Sequence, residues 1–461
     1  MFDSTSSTRR APGPRGLDVL RWLKRISDDS FQLFVETVQQ YGPVVRIPFR
    51  PGRALFLCSS PDAAKHVLQD NHRNYKKSLS YRFVEPVVGK GLLTSEGDLW
   101  LRQRRLVAPM FHRDRVRSYE ETMIETTRQL LDDWESRDPD EAFDISADMS
   151  QVTLSVAGKL LFNRDIGRES DWIGESMLLL FRDINQRLSS PLTTLPRKIP
   201  TPQNRRVAEA IEQLEDLVYG LIEERRGSEE DYDDLLSTFM LAEDADDGQR
   251  MSDEQVRDEV MTFILAGHET TSNHLTWTLY LLSKHPSIRR RLEQAVDDAI
   301  SGEMPTLQEV RDIDFLDQVI DESLRLYPPA WAVEREPIED DEIEGFHIPA
   351  GSIVGIGPYF VHHNPEVWDN PEGFDPDRFG PDADIPDHRY AHFPFGGGPR
   401  MCVGADFAIM EAKLILAAIV HRFRLDLEPG HPVVPEGTVT LYPKQGIEMT
   451  LHQRKSRASS M

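Results

Sequence analysis

The chain has 461 residues, with 78 Asp and Glu against 53 Lys and Arg, for a formal charge of −25. Such a surface repels a polyanion, which excludes nucleic acid as a partner. No run of about 18 apolar residues exists to cross a membrane, so no membrane anchor is expected.

The start, MFDSTSSTRRAPGPRG, lacks the apolar core of a secretory signal. Cys58 and Cys402 are the only cysteines and offer no disulfide framework, so a cytoplasmic protein is expected. Only 11 of the basic residues are lysine, and abundant acid with scarce lysine points to a salt-loving host.

A Pro/Gly-rich arm is expected over 1–27, followed by one domain over 28–461. A helix is predicted from about Asp28 to Tyr41. The runs VVRIPF (44–49) and ALFLC (54–58), separated by RPGR, predict a hairpin. SPDAAKHVLQD opens with a Ser N-cap and predicts a helix. From about Glu96 to Ile300 amphipathic helices dominate. GSEEDYDD (227–234) and AEDADDGQR (242–250) read as solvated loops on either side of LLSTFML. Strands and Pro-rich loops return from Trp331. One more helix follows Cys402, and TVTLYPKQGIEMTLHQ predicts a terminal hairpin. The fold class is mainly α with small β-sheets.

Four stretches carry chemistry. In GDLWLRQRRLVAPMF, Trp100 and Arg104 are four apart and share a helix face, where an indole N–H and a guanidinium can clamp a carboxylate. In DEVMTFILAGHETTSNHLTW, an apolar helix carries AGHETT at its middle. Glycine there costs about 1 kcal/mol, and the Thr270 hydroxyl can bond the Ala266 carbonyl and bend the helix. Glu269 adds an acid, so a groove with groups able to handle protons is expected. In FLDQVIDESLRLYPPAW, Glu322 and Arg325 share a face, and Arg378 of PDRF can join them. In HFPFGGGPRMCVGADFA, Gly396, Gly397 and Gly398 allow close approach of a bulky group. Gly404 and the following helix place Cys402 at a helix N-terminus, where a thiolate is stabilised. Zinc would need more Cys or His at short spacing. A lone thiolate on a glycine loop fits an axial ligand of haem iron.

Together these stretches resemble the cytochrome P450 superfamily. FGGGPRMCVG (395–404) matches its F-G-x-G-x-R-x-C-x-G pattern at every defined position, and AGHETT, ESLR and WLRQR match its other motifs in order. PDRF departs only by Asp for Glu. The resemblance implies haem b held between the long central helix and the Cys402 loop. It makes Cys402 the axial ligand, with Phe395, Gly404, Ala266 and Gly267 around the haem. Trp100, Arg104, Arg335 and Arg400 would hold the propionates. Thr270 and Glu269 would be catalytic, and Glu322, Arg325 and Arg378 structural. Leu93, Ala330 and Val439 would line the substrate pocket.

The implied reaction inserts one atom of O2 into a small lipophilic substrate. The enzyme would be a monomer, taking electrons from a ferredoxin or flavodoxin-type donor and its reductase. That donor is expected to dock on Arg102, Arg104, Arg105, Arg113, Arg115 and Arg117. The competing readings are a peroxide-driven or rearranging haem-thiolate enzyme and a haem-thiolate binding or sensing protein.

Overall fold

A computed structural model describes residues 9–26, 29–50, 52–139, 141–166, 171–189, 195–228, 232, 234–244 and 248–454. The first eight residues of the expected arm, the expected helix start at Asp28, and parts of the runs 227–234 and 242–250 lie outside them. The rest of the arm is not merely extended. Leu17–Arg25 forms a helix, α1. Its one buried side chain, Trp22, donates to Thr37 Oγ1 at 2.9 Å, on α2 (Ser30–Tyr41). A single large indole with a bonded N–H is enough to fix a helix against the body, and composition alone did not reveal it. Asp29 caps α2 by accepting the Gln32 N–H at 2.9 Å.

The predicted hairpin is present. β1 (Val44–Arg50) and β2 (Arg53–Cys58) pair antiparallel, with Val44 opposite Cys58. Ser60 caps Pro61–Lys65, and a π-helical turn carries the segment on to Asp70. β3 (Tyr75–Lys77) follows.

Helices then run in sequence: α3 (Gly97–Val107), α4 (Glu120–Glu135), α5 (Ile145–Phe162), α6 (Asp171–Ser189), α7 (Pro202–Gly227), α8 (Leu235–Leu241), α9 (Asp253–Lys284) and α10 (Pro286–Ala299). Among the described residues only the two-residue strand β4 (Phe143–Asp144) interrupts them. α9 is the axis of the fold. Ser252 and Gln255 form a capping box at its start. It is buried on several faces because α5 and α12 (Ala405–Arg422) pack on it, which is why its apolar residues are not confined to one stripe.

After α11 (Asp314–Leu326) come β5 (Val333–Pro337), β6 (Asp341–Ile343), β7 (Phe346–Ile348) and β8 (Ile353–Ile356). Strands β1, β2, β8, β5 and β3 make one sheet in that order.

The expected terminal hairpin does not form. β11 (Leu441–Pro443) pairs with β10 (Pro435–Gly437), whereas β12 (Glu448–Gln453) pairs with β9 (Phe423–Leu427) and β4. Met449 and Leu451 alternate inward on β12 and join the main core with Phe423 and Leu425. That burial sets their partner more strongly than the turn between the two strands.

Glu322, Arg325 and Arg378 do meet. The fully buried Arg325 guanidinium donates to Glu322 at 2.6 and 2.9 Å, and to the carbonyls of His362, Pro371 and Gly373. Arg378 Nε reaches Glu322 Oε1 at 3.3 Å. The cluster ties α11 to the segment that leads into the Cys402 loop.

Candidate functional site

The loop before α12 is shaped by clearance. A Cβ on Gly398 would stand 1.8 Å from the Leu68 carbonyl oxygen, and one on Gly397 would strike the Tyr390 ring. Gly396 and Gly398 have φ of +72° and +65°, which L side chains rarely adopt. The loop closes when the Cys402 N–H donates to the Phe395 carbonyl at 3.0 Å. Cys402 is exposed, but onto a cavity inside the protein. Surrounding protein pushes its thiol pKa up. The Gly404 N–H and the Arg104 charge act in the opposite direction.

That cavity has a volume of about 270 Å3, near the lower end of the ~300–1,000 Å3 of small-ligand sites. Cys402, Val403 and Gly404 line it from the loop, and Ala266, Gly267 and Thr270 from α9. α9 is unbroken through AGHETT, so the expected bend is not a break in the helix. Thr270 Oγ1 donates to the Ala266 carbonyl at 2.7 Å, as its spacing predicts. A Cβ on Gly267 would meet nothing within 4 Å, so glycine keeps that wall of the cavity open. Leu92, Leu93, Phe111, Leu160, Leu161 and Phe263 supply apolar lining.

Trp100, Arg104, Arg335 and Arg400 all reach the same cavity. Arg400 lies over the Trp100 ring at 4.3 Å and is paired with Glu96. The sequence reading missed a fourth cation there, Lys77. It sits directly opposite Arg335 in the β3–β5 ladder, where like charges repel. Burial pushes the Lys77 pKa down to about 6, and Arg400 and Arg335 push it the same way. Three guanidinium groups and a lysine crowded beside an indole fit a group that brings carboxylates, whose charge would favour the protonated lysine. A thiol on the same cavity fits iron. The residues present therefore suit a haem.

Other predicted residues lie elsewhere. Glu269 does not border the cavity: it accepts a hydrogen bond from Thr440 Oγ1 at 2.8 Å, and its second oxygen has no partner among the described residues. Burial raises its pKa to about 8, so it holds a proton at neutral pH. Ala330 and Val439 also stand away from the cavity. Val439 packs against the main core and its N–H donates to Asn185 Oδ1 at 3.2 Å, while the Trp331 indole next to Ala330 packs on Phe31 in a separate apolar cluster. Phe395 acts through its carbonyl, with its ring in the main core.

A second missed residue is Glu411 on α12. It lines the cavity, and burial raises its pKa to about 8, opposed by a bond to Thr271. The signal was present: an acid inside the apolar run ADFAIMEAKLILAAIV, the feature that marked Glu269.

Comparison with known proteins agrees with this geometry. The family model described as Cytochrome P450 matches residues 12–451. The chain is 34% identical to cyclooctat-9-en-7-ol 5-monooxygenase of Streptomyces melanosporofaciens, over 86% of this chain and 85% of that one. It is 33% identical to cyclooctatin synthase of the same organism, over 95% of both. It is 32% identical to the chloroplastic carotene epsilon-monooxygenase of Arabidopsis thaliana, over 90% of this chain and 81% of that one.

Proposed function

The chain belongs to the cytochrome P450 family and is a haem-thiolate monooxygenase, and from that premise we propose that its substrate is an isoprenoid hydrocarbon or a lightly oxidised derivative. The observation that carries this reading is one largely apolar cavity bordered by both Cys402 and Thr270. The names of two relatives, acting on cyclooctat-9-en-7-ol and on carotene, point to the same substrate class.

When bound, haem supplies oxygen activation and oxygen transfer. Haem b is the form proposed, because two cysteines 344 positions apart (402 − 58) exclude the paired thiols of a covalent c-type attachment. Cys402 would supply a thiolate to its iron, and Trp100, Arg104, Arg335, Arg400 and Lys77 would hold its carboxylates. Ala266 and Gly267 would leave room for O2. The Thr270 hydroxyl donates to Ala266 O, which leaves its lone pairs open to accept a proton donor in the cavity. Glu269, protonated near neutral pH, would resupply protons from behind the helix. Leu93 and its apolar neighbours would exclude water from the substrate. Electrons would come from a ferredoxin or flavodoxin-type donor with its reductase, to a monomer in the cytoplasm.

The test is a titration of the ferric enzyme with cyclic terpenes, carotenes, fatty acids and steroids, followed by the Soret band. Isoprenoids should give the displaced-water shift at the lowest concentration. A shift with fatty acids or steroids alone overturns the isoprenoid reading.

A further inference from the structure

One wall of the cavity is a short irregular segment between β3 and α3, where Leu92 and Leu93 line the space. Glycines at 89 and 91 make that segment costly to order, so bonds from outside must hold it. They come from three elements. On α9, Asp258 accepts the Lys90 N–H at 2.7 Å and Glu259 accepts the Leu92 N–H at 3.0 Å. On α3, Gln103 donates to the Lys90 carbonyl at 2.7 Å. On β3, the Lys77 ammonium donates to the Leu92 carbonyl at 3.3 Å and to the Ser95 carbonyl at 2.8 Å. Leu92 is thus gripped at both its N–H and its carbonyl. The glycines permit the approach: a Cβ on Gly89 would strike the Asp258 carboxylate, and one on Gly91 the Thr262 hydroxyl.

Glu259 is the unusual member. Asp258 is also paired with Arg257 at 2.7 Å. Glu259 has no exposed surface, and its second oxygen has no partner among the described residues. Burial raises its pKa to about 8, so it is neutral at pH 7 and works through where its oxygen sits. Burying an acid for one backbone bond is a poor arrangement for stability. It is a good one for fixing a wall. A lipophilic substrate makes apolar contacts that have no direction of their own, so the shape of the wall decides its pose.

We propose that Glu259, with Lys77 opposite it, is a positioning residue that fixes the Leu92–Leu93 wall and so limits which carbon of a substrate is oxidised. The proposal rests on the monooxygenase reading of this cavity and not on the substrate class.

The test uses the full-length holoenzyme with a bacterial ferredoxin and its reductase, and limonene and dodecanoic acid as probes. Hydrogen exchange should show the wild-type Leu92 amide slowed about tenfold or more against an unstructured peptide. Glu259→Leu should keep the thiolate-type reduced CO spectrum and speed that exchange about tenfold. It should also weaken the probe that shifts the Soret band about fivefold, and increase the number of products formed from it. Glu259→Gln keeps an oxygen for the Leu92 N–H and should keep the wild-type product pattern. A freely exchanging Leu92 amide in the wild type overturns the proposal, and needs no variant to fold. So does a Glu259→Leu enzyme with wild-type affinity and products, or an altered product pattern in Glu259→Gln, where charge rather than position would be at work. The exchange is read without substrate, so failure of the isoprenoid reading and failure of this one are told apart.

Discussion

Cys402 and Cys58 differ in surroundings, not in chemistry. Cys402 opens onto the cavity beside Arg104, whereas Cys58 is buried on β2, where desolvation pushes its thiol pKa far up. Cys402→Ser should abolish the thiolate-type spectrum of the reduced CO complex, and Cys58→Ala should leave that spectrum intact. Thr270 is a cavity-lining polar group of α9 whose hydroxyl is placed by the helix itself. Thr270→Ala should keep substrate affinity but raise peroxide released per electron consumed, measured against NAD(P)H oxidation. Unchanged coupling would remove Thr270 from proton handling. Glu259 gives a pH prediction. It is fully buried, accepts the Leu92 N–H at 3.0 Å, and burial raises its pKa to about 8. The folded state thus holds a proton that the unfolded state releases near the ordinary Glu value of about 4.3. The stability this contributes is full below that value and is lost as pH rises through 8. Glu259→Gln should therefore gain stability relative to the wild type between pH 5 and 9, by a few kcal/mol at most. Thermal melts across that range measure it.

At the scale of elements, the junction of α11 with the segment before the Cys402 loop is held by buried charge. Arg325 has no exposed surface and serves Glu322 and three carbonyls at once. Lysine cannot reproduce that planar fork. Arg325→Lys should cost about 3–5 kcal/mol, as breaking a buried pair does. Arg378→Lys should cost about 1 kcal/mol, because Arg378 makes one long contact to Glu322 and one to the Asn370 carbonyl. Melting temperatures of the two variants should separate in that order. E-x-x-R spacing made the pair legible, but the carbonyls that complete it come from residues 37 to 48 positions away. Spacing along one helix carries no information about them.

At the scale of the molecule, the six arginines expected to form one docking patch divide by partner. Arg104 lines the cavity, while Arg102 and Arg105 pair with Asp244 at 3.4 and 3.2 Å. Arg113 is 75% exposed, and its Nε lies 3.0 Å from Asp406, in the first turn of the helix that follows Cys402. Arg117 lies 3.6 Å from Asp114 and Arg115 lies over the Tyr119 ring, so Arg113, beside the helix that follows Cys402, carries the docking prediction. Arg113→Glu should slow first-electron transfer from an acidic ferredoxin several-fold at low ionic strength, and the difference should fade as salt screens it. Arg102→Glu should instead lower the melting temperature, because it sets a carboxylate against the buried Asp244. Stopped-flow reduction and thermal melts distinguish the two effects.

The sequence alone determined the class of the fold, the loop around Cys402, the helix through Thr270 and the shared helix face of Trp100 and Arg104. Each of these is local: glycine conformations, i to i+4 contacts and caps depend on neighbours in the chain. Tertiary structure decided the rest. It turned Glu269 toward Thr440 and away from the cavity, placed Lys77 against Arg335 across two strands, and brought Glu411 to the cavity wall. It also left Ala330 and Val439 out of the cavity lining, and divided the terminal strands between two sheets. In each case the outcome depends on which distant surfaces exclude water together. Burial is a property of the packed whole, and no stretch of chain carries it alone.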